Sequence, residues 1–194
     1  PTTYMAIPLA HLDGRKDGRI VGWQRIDLQG GKFQTSAITN GDFVGACFVI
    51  GDLKGAQRIA TAEGFATGAS IWLATRDDPK KRFDAVVIAV SANNMIHVVE
   101  QLVNMYPAAQ ITCALDNDRK ASAEGKGNTG LRVGYEIMEK FSGVKCVHPT
   151  FEDDPELECS DFNDLHSLRG LKEVARQLKR NHLSRSTDLL SITL

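Results

Sequence analysis

No paired cysteine motif occurs in the 194 residues. Cys47, Cys113, Cys146 and Cys159 stand 66, 33 and 13 residues apart, which excludes a C-x-x-C redox pair and a zinc ribbon. Cys113 and Cys146 lie inside apolar runs, so the four read as buried, reduced thiols of a cytoplasmic protein. No apolar run approaches the ~20 residues that cross a bilayer. No signal-peptide pattern opens the chain either, and no membrane partner is expected. An excess of one charge is missing as well: 23 Lys and Arg face 24 Asp and Glu, for a net charge of −1. A nucleic-acid binder of this composition needs a local basic patch. The P-loop G-x-x-x-x-G-K-[ST], the nucleophile elbow G-x-S-x-G and a clean G-x-G-x-x-G are all absent. P-loop, serine-hydrolase and dinucleotide-binding readings therefore lack support. His11, His97, His148, His166 and His182 show no paired metal spacing, and His97 reads as a packed or solvated helix residue.

What is there is a globular composition, 42% hydrophobic and 24% charged, and a length enough for one domain with a core, or for one domain plus an appendage. The chain begins at Pro1 rather than Met, so it is expected to be a piece of a longer polypeptide. Residues 1–19, interrupted by Pro8, Gly14 and Gly18, read as a loop or short arm. Two period-2 segments then flank Gly30-Gly31, the pattern of a β-hairpin. A third β-rich run covers 43–50. Residues 1–54 are thus an N-terminal arm with a small antiparallel β-rich unit.

From residue 55 the rhythm is strand, helix, strand, helix. Strands are expected at 59–62, 85–90, 111–115 and 144–147, and helices at 65–74, 92–106 and 131–141. The run at 85–90 is continuously apolar, as in a strand covered on both faces. Val133, Ile137 and Phe141 repeat at i, i+4, i+8, a helical stripe. Strand ends recur every 25 to 32 residues, the spacing of βαβ units in a mainly parallel sheet flanked by helices. Leu171, Val174 and Leu178 mark a last helix. The main domain spans 55–180, and the tail 181–194 is left unassigned.

Parallel sheets bind ligands at the carboxyl ends of their strands. Acidic clusters fall there three times: Glu63, then Asp116-Asn117-Asp118, then Asp161-Phe162-Asn163-Asp164. Carboxylates gathered in one place repel unless a cation neutralises them. Oxygen ligands suit Mg²⁺ or Mn²⁺, an ion that leaves positions open for phosphate. An isolated D-x-D is as readily a loop acid or helix cap; acids at three strand ends carry more weight. Arg119, Lys120, Lys126 and Arg132 surround the D-x-D. Gly125, Gly127 and Gly130 bracket Asn128-Thr129 before a helix. That stretch either presents N–H groups to a phosphate or simply caps the helix.

Glu63-Gly64-Phe65-Ala66-Thr67, Ala114-Leu115-Asp116-Asn117-Asp118, Gly127-Asn128-Thr129-Gly130 and Asp161-Phe162-Asn163-Asp164-Leu165 together resemble a TOPRIM domain. They are most similar to that of plasmid- and phage-type DNA primases, including primase-helicases. The resemblance covers about residues 55–180. It implies a Rossmann-like α/β core with Glu63 and the D-x-D on neighbouring strands. It implies Glu63, Asp116 and Asp118 as catalytic residues, and the same three with Asp161 and Asp164 around Mg²⁺ or Mn²⁺. Lys54, Arg58, Arg119, Lys120, Lys126 and Asn128 become candidates for contacts to nucleotide or DNA. The implied activity is synthesis of short RNA primers on single-stranded DNA from nucleoside triphosphates, in plasmid or phage replication. Zinc-binding and helicase domains would then belong elsewhere on the same polypeptide.

Two positions depart from the family pattern. Thr67 stands where cellular bacterial primases carry a further Asp, which removes one carboxylate. Ala121 stands where many relatives carry Gly. Arg15, Lys16, Arg19, Arg25, Lys32, Lys54 and Arg58 offer a basic template surface in the N-terminal unit. Trp23 and Phe33 are available there for stacking, although core packing is the commoner fate of such aromatics. Two other readings share the acids: a TOPRIM nuclease, and a nucleic-acid-binding module without catalysis. A type IA topoisomerase needs a nucleophilic tyrosine in a separate domain, and Tyr106 and Tyr135 fall in predicted helices. A phospho-receiver needs an acidic pair after the first strand, where only Glu63 stands.

Overall fold

The computed structural model describes residues 4–14, 19–27, 33–37, 43–152, 158–180 and 182–184. They form an α/β fold with a mixed sheet flanked by helices. In chain order the strands are β1 (Tyr4–His11), β2 (Gly22–Asp27), β3 (Phe33–Ala37), β4 (Ala46–Gly51), β5 (Arg58–Ala62), β6 (Ala85–Ile88), β7 (Gln110–Ala114) and β8 (Lys145–Val147). The helices are α1 (Phe65–Thr75), α2 (Ala92–Met105), α3 (Arg119–Ala123), α4 (Thr129–Lys140) and α5 (Phe162–Arg180). Spatial order in the sheet is β3-β2-β1-β4-β6-β5-β7-β8.

The four strands β6-β5-β7-β8 run parallel. The other four join them antiparallel, with β4 pairing β6. Strands β5, β6 and β7 are buried without alternation because helices cover both faces. Val98, Val99 and Leu102 of α2 pack with Val133 and Ile137 of α4 on one face. Ile71 of α1 packs with Phe162, Leu165, Val174 and Leu178 of α5 on the other.

The β2–β3 pairing is the expected hairpin, with Ile26 opposite Phe33; its Gly30-Gly31 turn lies outside the described residues. Residues 4–11, expected as loop or arm, are instead β1. Ile7, Leu9 and His11 alternate inward, which is a strand signal that Pro8 obscures. Proline is tolerated because β4 reaches only Ala10 and His11, so Pro8 has one neighbouring strand rather than two. Two side-chain amides, half-buried Asn94 and buried Gln101, bind this antiparallel part to α2. Asn94 accepts from the Gly45 N–H (2.7 Å) and donates to the carbonyls of Ala46 (2.9 Å) and Ala89 (2.7 Å). Gln101 donates to the Gly45 carbonyl (2.7 Å) and accepts from the Leu12 N–H (3.0 Å).

Cys47, Cys113 and Cys146 are buried free thiols and Cys159 is half-buried. Among the described residues no helix is long and apolar enough to cross a membrane.

Candidate active site: an acidic cluster at the carboxyl ends of β5 and β7

Strands β5 and β7 are neighbours in register, Ala62 opposite Ala114. Glu63 and Asp116 therefore leave the sheet side by side, although 53 residues separate them in the chain. The chain turns from β5 into α1 on one face and from β7 towards α4 on the other. This is where strand order reverses and a crevice opens.

Three helix starts close on this edge. Beside β5, the chain leaves β6 through Val90 at φ 72°, a left-handed conformation that costs a β-branched residue of the order of 1–3 kcal/mol. The Val90 N–H donates to the Glu63 carbonyl (2.8 Å). Ser91 then caps α2 by accepting from the Asn94 N–H, and the Ala92 N–H at this helix start favours the ionised Glu63 carboxylate. Beyond β7, Asn128 caps α4 through the Leu131 N–H (3.1 Å) and donates to Asn117 Oδ1 (2.9 Å). The Gly130 N–H donates to Asp118 Oδ2 (3.3 Å). A Cβ at Gly130 would lie 2.1 Å from the Asp116 carbonyl oxygen, so α4 can start this close to the acids only with glycine there.

The third helix start is that of α5. Asp161 Oδ1 accepts from the N–H groups of Asn163 and Asp164 (2.8 Å each). Asp164 Oδ2 accepts in return from the N–H groups of Ser160 (2.8 Å) and Asp161 (3.3 Å). This reciprocal cap makes Asp164 an anchor of the helix. The other Asp161 oxygen accepts from Thr67 Oγ1 of α1 at 2.7 Å.

The acids feel one another. Burial first, then the charges of Asp118 and Asp161, push the Glu63 carboxyl up to about 7, against the Ala92 N–H. Burial first, then Glu63, Asp161, Asp118 and Asp164, push Asp116 up to about 9. Burial also raises Asp161, opposed mainly by the Thr67 hydroxyl. Asp116 Oδ1 is buried without a hydrogen-bond partner. Such an oxygen is costly unless protonated or bound to a cation. Among the described residues the side chains do not close into a finished group of three or more metal donors. The donor set is nonetheless oxygen-only and poor in compensating cations, which fits Mg²⁺ or Mn²⁺ better than a softer metal.

The basic candidates do not gather at this crevice as a set. Arg58 lies at the opposite, amino end of β5, about 16 Å away at ~3.3 Å per residue. There it donates to the Lys80 carbonyl (2.8 Å) and stacks over Phe83. Lys54 is exposed at that same end, just before β5. Arg119 is a brace: it donates to the carbonyls of Phe151 and Cys159 (3.2 Å each) and lies over the Phe151 ring. Asn128 is buried and fully committed to cap and amide contact. Lys120 pairs with Glu158, and exposed Lys126 with Glu124 (2.6 Å). In the N-terminal unit Trp23 is half-buried, and Arg25 is exposed and lies over the Tyr4 ring. Arg15, Lys16 and Lys32 lie outside the described residues, as does the Phe33 side chain. Exposed His97 has solvent around it, as expected.

Two features escaped the sequence. Asn117 donates to the Pro149 carbonyl (3.2 Å) and takes the Asn128 amide, so the middle residue of D-x-D locks the loop that aims both aspartates. The short helix α3 follows directly. Comparison with family models, with curated proteins and with solved structures finds no match.

Proposed function

We propose that the acidic cluster is a divalent-cation site for nucleotidyl transfer, in a TOPRIM-type core of a DNA primase acting on single-stranded DNA. The observation that carries this reading is the convergence of Glu63, Asp116, Asp118 and Asp161 on one strand edge, with Asp116 Oδ1 buried and unpartnered. No hydrogen bond or cation of the described residues offsets that oxygen. The parallel order β6-β5-β7-β8 and the motif resemblance supply the remaining support.

Asp116 and Asp118, with Glu63 beside them, would hold Mg²⁺ or Mn²⁺. When bound, the ion supplies positive charge to a nucleoside triphosphate and acidifies a primer hydroxyl. The residues do the positioning. Asn117 and Asn128 fix the loop bearing the two aspartates, and Gly130 lets α4 abut it. Glu63, beside the start of α2, receives the proton of the 3′-hydroxyl. That oxygen bonds to the α-phosphorus and the bond to the β-phosphate oxygen breaks, releasing pyrophosphate. Asp161, fixed by Thr67, adds negative charge that holds the cation in place.

The test is a synthesis assay with single-stranded DNA of varied sequence, four labelled ribonucleotides and Mg²⁺ or Mn²⁺. Short products that disappear with Glu63→Gln support the reading. Products made equally by Glu63→Gln overturn it, and degraded template in place of products moves the same acids to hydrolysis.

A further inference from the structure

The chain is nearly neutral, yet its cations are not evenly spread. Helix α5 carries Arg169, Lys172, Arg176, Lys179 and Arg180 against two carboxylates, Asp164 and Glu173. Lys172, Arg176, Lys179 and Arg180 stand at i, i+4, i+7 and i+8, one face of a helix. They follow Gly170, whose φ of 77° interrupts the helix. Across from them the loop before β6 brings Lys81. Together Lys81, Lys172, Ala175, Arg176, Lys179 and Arg180 line an open cleft of about 260 Å³. Five cations and one alanine make the wall, and no acid is among them.

Neighbouring acids neutralise part of it. Asp78 pairs with Lys81 (2.6 Å) and its charge also reaches Lys179, and Glu173 pairs with Arg176 at Oε2 (2.6 Å). Among the described residues Lys172, Lys179 and Arg180 form no ion pair, and all three are exposed. Like charges gathered this way repel, so the arrangement favours an anion that bridges them. One structural role is partly served: cations in the last turn complement the α5 dipole. That accounts for Lys179 and Arg180, but not for Lys172 or for the opposed Lys81.

We propose that this cleft binds the phosphate backbone of a nucleic-acid strand, as an anchoring surface separate from the acidic site. The cleft is smaller than pockets for drug-sized ligands, ~300–1,000 Å³, and suits a phosphodiester rather than a whole nucleotide. It offers no aromatic or aliphatic anchor of the kind that dominates protein interfaces. The apolar residues of the helix segment that bears the cleft, Val174 and Leu178, are buried against the sheet, and the exposed Leu168 stands before the Gly170 interruption and outside the cleft, so the cleft itself presents no apolar face to a lipid surface. Arginine forks and lysine ammoniums are the donors that phosphate takes. The cleft lies at the amino ends of the parallel strands, with Lys54 and Arg58 at the same end of the fold. The acids lie at the carboxyl ends. The partner class leans on the nucleotidyl-transfer reading, but binding alone is what the test reads.

Fluorescence anisotropy of labelled dT20 is measured on the full chain at rising salt. The variants are Lys172→Gln/Lys179→Gln/Arg180→Gln and, as a check, Lys172→Arg/Lys179→Arg/Arg180→Lys. Lys140→Gln, on α4 across the sheet from α5, serves as the control. The triple Gln variant is expected to bind at least tenfold more weakly. Its log-affinity versus log-salt slope should fall by about 2, at ~0.7 per lost phosphate contact. The charge-preserving variant and the control should bind as the wild type does. Unchanged affinity and slope in the triple Gln variant overturn the proposal. So does a wild type that does not bind dT20 at 50 mM salt, or one that prefers polyglutamate or phosphatidylserine vesicles to dT20. A chain that binds dT20 through these residues but makes no primers leaves this inference standing and removes the catalytic one.

Discussion

Thr67 donates its hydroxyl to Asp161 across 2.7 Å, joining α1 to α5 at the edge of the acidic cluster. Threonine adds no charge to the cluster and holds one of its carboxylates in place.

Thr67→Val should therefore do two things. It removes a buried donor from a carboxylate, at a cost of about 1–3 kcal/mol in stability. It also raises the Asp161 carboxyl further, because the hydroxyl bond favours the ionised form. Urea denaturation checks the first, and Mn²⁺ affinity measured against pH checks the second. Thr67→Ser, which keeps the hydroxyl, should restore most of the Mn²⁺ affinity.

Without divalent cation, stability should fall as pH rises from 5 to 9. Glu63 and Asp116 are pushed up to about 7 and about 9, so the folded chain keeps protons that the unfolded chain has released. A carboxyl raised by folding contributes its full stability below its unfolded value, about 4, and loses it progressively until pH passes its folded value. Each contributes a slope of at most about 1.4 kcal/mol per pH unit. Asp116→Asn should flatten the decline above pH 7 and be more stable than the wild type at pH 8. Thermal melts at each pH, with EDTA and then with Mg²⁺, measure this; the cation should restore the wild type and leave Asp116→Asn unmoved.

Gly130→Ala should destabilise by about 1–3 kcal/mol, the range for an added methyl group with nowhere to go. The methyl would meet the Asp116 carbonyl at 2.1 Å, so α4 must retreat and withdraw its N–H from Asp118. Lower stability together with weaker Mn²⁺ binding is the expected pair of results; Thr129→Ala, one residue away and exposed, should give neither.

Arg119→Lys should not behave as a conservative change. The guanidinium spans two carbonyls, Phe151 and Cys159, and covers the Phe151 ring; an ammonium has no such fork. Cleavage by a glutamyl endoprotease after Glu158 should become several-fold faster, with little change in the melting temperature.

The alternation of strand and helix from Ile59 to Val147 was legible because buried parallel strands are continuous apolar runs and their helices keep a 3.6-residue stripe. The convergence of Glu63 with Asp116 was legible too, since both follow neighbouring strands. What local pattern could not carry was long-range. Pairing of β4 with β6 depends on partners 34 to 40 residues apart. The scaffolding roles of Asn94, Gln101, Asn117 and Asn128 arise from carbonyls and amides that only the folded chain brings near. Arg119 and Asn128 read as ligand contacts because a cation or an amide beside a D-x-D looks available until its backbone partners are known. The cation stripe of α5 was present at helical spacing, but only packing against the loop of Lys81 turns it into a cleft.

In the proposed site Glu63, Asp116, Asp118 and Asp161 share one divalent cation. Electron paramagnetic resonance of Mn²⁺ titrated into the chain, for the wild type and for Asp116→Asn/Asp118→Asn, tests this sharing. Saturable binding by the wild type, competed by Mg²⁺, is expected, with its loss in a double variant that melts no lower than the wild type. Equal Mn²⁺ binding by both proteins, or none by the wild type, would contradict it.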